Sequence, residues 1–325
     1  MKRPNKYLLL MLLLYAVGAK AQQTIQLSQY MFNGLALNPA YAGYKDDWTI
    51  NLSSRLQWTG FNGAPKTGTI SADGLLNNDK KNVGIGVIAT IDKLGPQNTS
   101  SFYANYAFRL RLNDEDTKRL SFGLAVGATQ YTLDGSQFNA TDGGDNSIPT
   151  ASESKFTPDA RLGIYYYAPK VYVGASVFNL LSATNLVADY TTLVRQVRTV
   201  YLTAGLLIPL TEYIDLKPSF MIKEDFKGPT NVDLTGYLAF SKSVWIGASY
   251  RTGVTTWKNN LKSGLQNLDA VAALAQVYVN NHFRIGYSFD FTVSKLAGYQ
   301  SGSHELSLSF SLGNKKPRIV SPRYF

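Results

Sequence analysis

The chain has 325 residues, of which 45% are hydrophobic and 17% are charged, with 21 tyrosines, 16 phenylalanines and no cysteine. This composition is too apolar for a disordered chain, and the charged fraction lies below the roughly 25% of ordinary soluble domains. Without cysteine there is no disulfide framework, thiol nucleophile or zinc–thiolate site. Two histidines, His282 and His304, leave little for histidine-based catalysis, so most enzyme classes are disfavoured.

The first residues have the pattern of a secretory signal peptide. Three basic residues precede an apolar run over residues 7–19, and Ala19-Lys20-Ala21 is a small-x-small cleavage site. The run is shorter than the ~20 residues of a spanning helix. We therefore expect residues 1–21 to be removed and the processed chain to begin at Gln22. The processed chain then carries 28 basic and 22 acidic residues, a scattered excess that indicates no nucleic-acid partner.

Alternation of apolar and polar residues over segments of about ten recurs from residue 48 onward. In residues 304–312 a leucine or phenylalanine occupies every second position, with Glu305, Ser307 and Ser309 between them. This period is typical of transmembrane β-strands. The predicted strands are 48–58, 67–75, 83–91, 100–112, 119–132, 157–167, 171–180, 197–208, 214–223, 230–240, 244–252, 269–279, 282–292 and 304–312. We therefore predict an all-β fold, a 14-stranded antiparallel transmembrane β-barrel over residues 47–312.

The predicted connections differ in length according to strand parity. Those after even-numbered strands are short, whereas several after odd-numbered strands are long, namely 133–156, 181–196 and 253–268. Short periplasmic turns and longer external loops are the rule in outer-membrane barrels, whereas a soluble β-sandwich or propeller has no reason to sort its loops in this way. We therefore expect the outer membrane as the location, with lipid around the barrel and both termini in the periplasm.

Residues 22–46 do not fit the strand pattern. Tyr30, Met31, Phe32 and Tyr41 are large apolar groups outside any predicted strand, and Asn38-Pro39 favours a turn. Together with Asn33 they are the candidate plug or partner-binding residues. Two interpretations remain open. The favoured one is a hatch or plug folded into the barrel lumen, and the other is a periplasmic docking peptide for a partner.

Residues 313–325 form a basic tail beyond the last predicted strand. Its cationic residues are Lys315, Lys316, Arg318 and Arg323, with no acidic residue among them. Two prolines in the tail cannot donate to a strand ladder. We expect a periplasmic extension suited to an acidic partner surface.

Alternation places a set of charged residues on the inner face of the predicted barrel. The set consists of Arg55, Asp73, Arg109, Arg161, Lys217, Lys223, Asp233, Arg251, Arg284, Asp290 and Glu305. Because both signs are present, we favour mutual pairing that fills the interior over an ion or substrate path. The tyrosines and tryptophans, Tyr165-Tyr166-Tyr167 among them, are interpreted as interfacial girdles. The glycines of Gly84-Ile85-Gly86 and Gly123–Gly127 indicate either strand curvature or close packing toward the lumen.

Two stretches near the start of the processed chain resemble a known family motif. Ser28 to Asn33 and Asn38-Pro39-Ala40-Tyr41-Ala42-Gly43 are similar to the beginning of the PorP/SprF family of type IX secretion system outer-membrane proteins. The resemblance implies a FadL-like fourteen-strand barrel with a role in gliding motility and protein secretion. It also implies two kinds of partner, a periplasmic ring or peptidoglycan-binding lipoprotein of the machine and the C-terminal domain of a secreted adhesin. It implies no catalytic residue and no cofactor.

Two hypotheses follow. The stronger is a non-enzymatic barrel that anchors or couples a secreted adhesin to the periplasmic machine. The alternative is a FadL-like channel for a hydrophobic small molecule, for which Pro218 in the ninth strand is a candidate wall kink. An outer-membrane lipase using His304 with Ser301 or Ser303 is disfavoured, because no nucleophile-elbow pattern is present.

Overall fold

The computed structural model describes residues 26–77, 80–137, 151–181, 196–241, 243–255 and 268–313. Short 3-10 turns occupy Tyr30–Phe32, Gly34–Ala36, Pro39–Tyr41, Gly135–Gln137 and Lys295–Gly298. The strands are β1 (Thr49–Leu56), β2 (Lys66–Leu75), β3 (Val83–Leu94), β4 (Gln97–Arg111), β5 (Arg119–Asp134), β6 (Ser152–Ala168), β7 (Val171–Phe178), β8 (Thr199–Leu206, continued at Ile208–Pro209), β9 (Ile214–Glu224), β10 (Thr230–Phe240), β11 (Val244–Val254), β12 (Leu268–Tyr278), β13 (Phe283–Thr292) and β14 (Ser303–Ser311).

The strands form one closed barrel. Each strand pairs antiparallel with its neighbours in the chain, and β1 pairs with β14 so that Thr49 lies opposite Ser311 and Arg55 opposite Glu305. Closure leaves no strand edge with unpaired backbone groups, which is the requirement for crossing a bilayer with strands. The predicted 14-stranded antiparallel β-barrel is confirmed. Among the described residues no helix is long and apolar enough to span a membrane.

Burial alternates along the strands as the sequence predicts. In β1 every second residue from Thr49 is buried and the residues between them are exposed. The exposed side chains are large and apolar, as at Leu52, Phe102 and Ile246, whereas the buried ones include Arg55 and Asp290. Because apolar groups face outward and polar groups face inward, the barrel has the arrangement of a lipid-embedded wall around a polar lumen.

Several strands extend further than the hydrophobic pattern predicts. β3 continues to Leu94 and β4 begins already at Gln97, so that only Gly95 and Pro96 connect them. β6 begins at Ser152 rather than at residue 157. These extensions contain polar residues on both faces, and the alternation that marks a half-buried strand is therefore lost there.

Pro218 interrupts the ladder on one side only. On one side, Pro218 pairs with Gly236 of β10 within a continuous register. On the other side, the ladder to β8 lacks residue pairs between the pair of Ser219 with Gly205 and the pair of Leu216 with Ile208. Proline has no N–H to donate, which accounts for the break. The register is the same on both sides of the break, so the strand is not displaced there.

The two barrel ends differ in their connections. One, here called the short-turn end, carries turns such as 112–118 and 169–170 between successive strands. The opposite end, the long-connection end, carries 135–151, 179–198 and 255–267. Much of these long connections (138–150, 182–195 and 256–267) lies outside the described residues. The predicted signal peptide and the predicted tail after residue 313 also lie outside them.

Candidate functional site

Residues 26–46, here called the internal segment, pack inside the barrel. Tyr30, Met31, Phe32 and Tyr41 are each at most 5% exposed. The Tyr30 hydroxyl lies 2.8 Å from the Ser219 hydroxyl on the inner face of β9. These side chains are therefore part of the barrel core.

Asn38 fixes the middle of the internal segment. Its Oδ1 accepts a hydrogen bond from the Ala40 N–H at 2.9 Å, which caps the Pro39–Tyr41 turn. Pro39 suits the first position of that turn, where no N–H is needed. The Asn38 Nδ2 donates to the carbonyls of Ile164 and Ala175 at 3.0 and 3.1 Å. One side chain therefore shapes the turn and joins it to β6 and β7.

Two strand glycines allow the backbone of the internal segment to lie directly against the wall. A Cβ on Gly123 of β5 would collide with the backbone of Ala40, and a Cβ on Gly84 of β3 would collide with the Ala42 carbonyl. Glycine in a strand often marks such a close approach of another backbone. These two contacts explain why glycine occupies both positions: the internal segment packs too closely against the lumenal face for a side chain.

Phe32 anchors the segment on the opposite wall. Its ring lies 5.5 Å from the Tyr237 ring in an edge-on arrangement and 5.4 Å from the Trp245 ring. The Arg284 guanidinium lies 4.3 Å from the centre of the Phe32 ring. Lys217 places its Nζ 3.4 Å from the centre of the Trp245 ring. Buried cations are thus stabilised by ring faces.

A tyrosine cluster surrounds the end of the internal segment. Tyr44 packs edge-on against Tyr165 and Tyr167 at 5.3 and 4.8 Å, and Tyr41 packs edge-on against Tyr165 at 5.7 Å. Tyr165 and Tyr167 point inward, and the interpretation of these two residues as a membrane girdle is wrong. The physical reason is that the internal segment makes this part of the lumen apolar, which suits an inward aromatic ring.

Five charged residues form a buried network near the long-connection end. Arg55 lies 2.7 Å from Asp290 and 3.1 Å from Glu305. Arg251 lies 2.6 Å from Asp233 and 3.7 Å from Asp290. Because these strands are neighbours around the closure, the network joins β10, β11, β13, β14 and β1. Buried charges paired in this way are costly to leave unpaired.

The internal segment supplies hydrogen-bond donors to that network. The backbone N–H groups of Ser28 and Gln29 donate to the two carboxylate oxygens of Glu305 at 2.8 and 3.1 Å. The Ser28 hydroxyl donates to Asp290 at 2.6 Å and accepts from Arg55 at 3.0 Å. The network therefore binds the segment as well as the strands.

Other inward charges contact the internal segment or uncharged side chains of the wall. Arg109 lies 2.8 Å from Asp46 and donates to the Tyr167 hydroxyl at 2.6 Å, and Asp73 accepts from the Gly43 N–H at 3.0 Å. Among the remaining predicted site residues, the Arg161 guanidinium stacks 3.4 Å above the centre of the Tyr103 ring. Arg284 donates to Gln276, and Asn33 donates to Ser53 at 3.4 Å. Lys223 is buried.

Sequence reasoning missed three polar residues of this site. Ser28 and Gln29 belong to the motif that resembles the family, but the predicted plug or partner-binding residues begin only at Tyr30. Asp46 was missed because nothing in its sequence neighbourhood points to Arg109. The basic tail residues Lys315, Lys316, Arg318 and Arg323 lie outside the described part of the chain. Among the described residues there is no cluster of metal-ligating side chains.

The geometry defines a closed β-barrel of the outer-membrane type that holds its own N-terminal segment in the lumen. The chain belongs to the family described as type IX secretion system membrane protein PorP/SprF, whose profile matches residues 19–310. No curated protein sequence matches it. The family predicted from residues 28–33 and 38–43 is confirmed.

Solved structures share the fold at low identity. The toluene transporter TbuX of Ralstonia pickettii has a TM-score of 0.56 at 8% identity, with 86% of this chain and 93% of that chain covered. A TodX deltaS2S3 mutant monoaromatic hydrocarbon channel has a TM-score of 0.51 at 10% identity with the same coverages. A Pseudomonas aeruginosa FadL homologue has a TM-score of 0.46 at 11% identity, covering 88% and 94%. At such identities the similarity to TbuX and TodX shows the fold alone.

Proposed function

We propose that the protein is a non-enzymatic outer-membrane barrel of the type IX secretion and gliding machinery that anchors a secreted adhesin. In this proposal the C-terminal domain of the adhesin binds at the long-connection end, which faces the cell exterior. A periplasmic ring component or a peptidoglycan-binding lipoprotein binds at the short-turn end, where β14 ends at Ser311 before the basic tail begins in the sequence. Membership of the PorP/SprF family and the outward apolar belt support this assignment.

The observation that carries the proposal is the lumen filled by residues 26–46. The segment is bound to strands around the barrel through Glu305, Asn38 and Arg109. A filled, cross-linked interior gives a wall that resists deformation, which suits a protein that transmits load between two partners. The basic tail would add electrostatic attraction for an acidic periplasmic surface.

The channel hypothesis makes a different demand on the same interior. A substrate crossing the barrel needs a continuous path, and the internal segment occupies the lumen along the described part of its length. The inward charges that could line a path are instead paired, as Arg55 is with Asp290. Anchoring therefore accounts for the interior with fewer assumptions than transport.

Affinity purification of the tagged chain from gently solubilised native membranes tests the proposal. We expect a large secreted protein and a periplasmic lipoprotein to copurify in near-stoichiometric amounts, as identified by mass spectrometry. An unrelated outer-membrane barrel with the same tag, purified from the same strain, is the control. A barrel that carries only lipid would refute anchoring.

A further inference from the structure

The two ends of the internal segment contact opposite ends of the barrel. Near residue 46, Asp46 pairs with Arg109 and the Gly43 N–H donates to Asp73. Arg109 and Asp73 each lie two residues from the short-turn ends of β4 and β2, which end at Arg111 and Leu75. This end of the segment therefore lies where the barrel wall begins at Thr49.

The other end of the segment contacts residues near the long-connection end. Ser28 binds Arg55, Asp290 and Glu305. Arg55 is one residue from the end of β1 at Leu56, and Glu305 is two residues from the start of β14 at Ser303. Going backward along the chain from Asp46 to Ser28, the segment thus crosses most of the depth of the barrel wall.

We infer that the chain enters the barrel from the long-connection end, so that Gln26, at the start of the described segment, is reached from that side of the membrane. A return from Ser28 to the short-turn end would have to pass the space that residues 29–46 fill. A path toward the nearby long-connection end needs no such passage.

This inference differs from the sequence-based expectation that both termini lie in the periplasm. The barrel wall itself begins at Thr49 and ends at Ser311 on the short-turn side, as that expectation requires. The difference arises because the segment before Thr49 folds back into the lumen. The inference rests on the proposed function only for the statement that the long-connection end is extracellular.

Single-cysteine labelling tests the inference without background, because the chain contains no cysteine. Three variants are compared: Gln26→Cys in the half-buried first described residue, Glu153→Cys at the long-connection end and Glu115→Cys at the short-turn end. Both glutamates are exposed, which makes them matched controls. A membrane-impermeant maleimide is applied to intact cells and to cells with a permeabilised outer membrane.

We expect the labelling of Gln26→Cys in intact cells to lie within about threefold of the labelling of Glu153→Cys. Glu115→Cys should react only after permeabilisation. If Gln26→Cys reacts in neither sample because the lumen shields it, Gln23→Cys decides in the same way. Reaction of residues 26 and 23 only under the conditions that label residue 115 would overturn the inference. Reversed labelling of the two glutamate positions, with Gln26→Cys still following Glu153→Cys, would refute the proposed orientation but support the path of the segment.

Discussion

The carboxylate of Glu305 accepts a hydrogen bond from the backbone N–H of Ser28 at 2.8 Å, although 277 residues separate the two in sequence. Glu305 also lies opposite Arg55 in the pairing of β14 with β1, and the two side chains form an ion pair at 3.1 Å. A single buried carboxylate thus joins the strands that close the barrel and the segment inside it. Closure and filling of the barrel are therefore energetically coupled.

Removing the charge of Glu305 should destabilise both features. We expect Glu305→Gln to lower the free energy of unfolding by about 3 kcal/mol, because it leaves a buried guanidinium with one carboxylate partner fewer. The midpoint of thermal unfolding in detergent, followed by the change in gel mobility, measures the effect. The exposed Glu153→Gln is the matched control, and equal midpoints for both variants would contradict the prediction.

A methyl group on the inner face of β5 should displace the internal segment. Gly123→Ala would place a Cβ against the backbone of Ala40, so we expect a cost of about 1–3 kcal/mol and faster amide hydrogen exchange over residues 34–46. Gly236→Ala is the matched control, since no heavy atom lies within 4 Å of its Cβ position. Unchanged exchange in Gly123→Ala would show that this contact does not hold the segment.

Deleting residues 24–43 should raise the single-channel conductance of the purified barrel in planar bilayers, because the deletion empties the lumen. A chain lacking residues 314–325 keeps the internal segment and should conduct as the full chain does. The paired substitution of Tyr30→Ala with Phe32→Ala serves as a second variant if the deleted chain does not fold, and it should give transient openings. Folded variants with unchanged conductance would refute the hypothesis that the segment is a plug.

Replacing Lys315, Lys316, Arg318 and Arg323 by glutamine should weaken retention of the periplasmic partner about tenfold while leaving the secreted partner bound. The reason is that the tail is proposed to attract an acidic surface, and this attraction should also fall as salt is raised. Lys66→Gln with Lys93→Gln, two exposed lysines at the opposite barrel end, is the control. Loss of both partners from the tail variant would argue against separate binding ends.

The strand pattern could be predicted because it is local. A one-residue slip would turn Glu305, Ser307 and Ser309 to the lipid, so alternation specifies the inner face directly. The extensions of β3 and β4 beyond the apolar belt could not be predicted, because polar residues such as Asp92 and Lys93 carry no alternation there. Strand boundaries are set by pairing across the hairpin, which composition does not reveal.

The kinds of residue that fill the interior could be predicted from the sequence, but the contacts between them could not. The apolar character of Phe32 and Tyr41 indicates burial, and the mixed signs of the inward charges indicate pairing. The contacts themselves depend on closure of the barrel. Ser28 hydrogen-bonds to Glu305, and Asp46 pairs with Arg109, only when all strands are in register. Tyr165 points to a lumen that is apolar solely because another part of the chain fills it.

Retention of the secreted partner on cells tests the anchoring role most directly. In a strain lacking this chain, we predict that the partner copurifying with it appears in the medium rather than on the cell surface, and that expression of the chain from a plasmid restores surface retention. The two fractions are measured by quantitative mass spectrometry of washed cells and culture fluid. Equal surface retention with and without the chain would contradict the account.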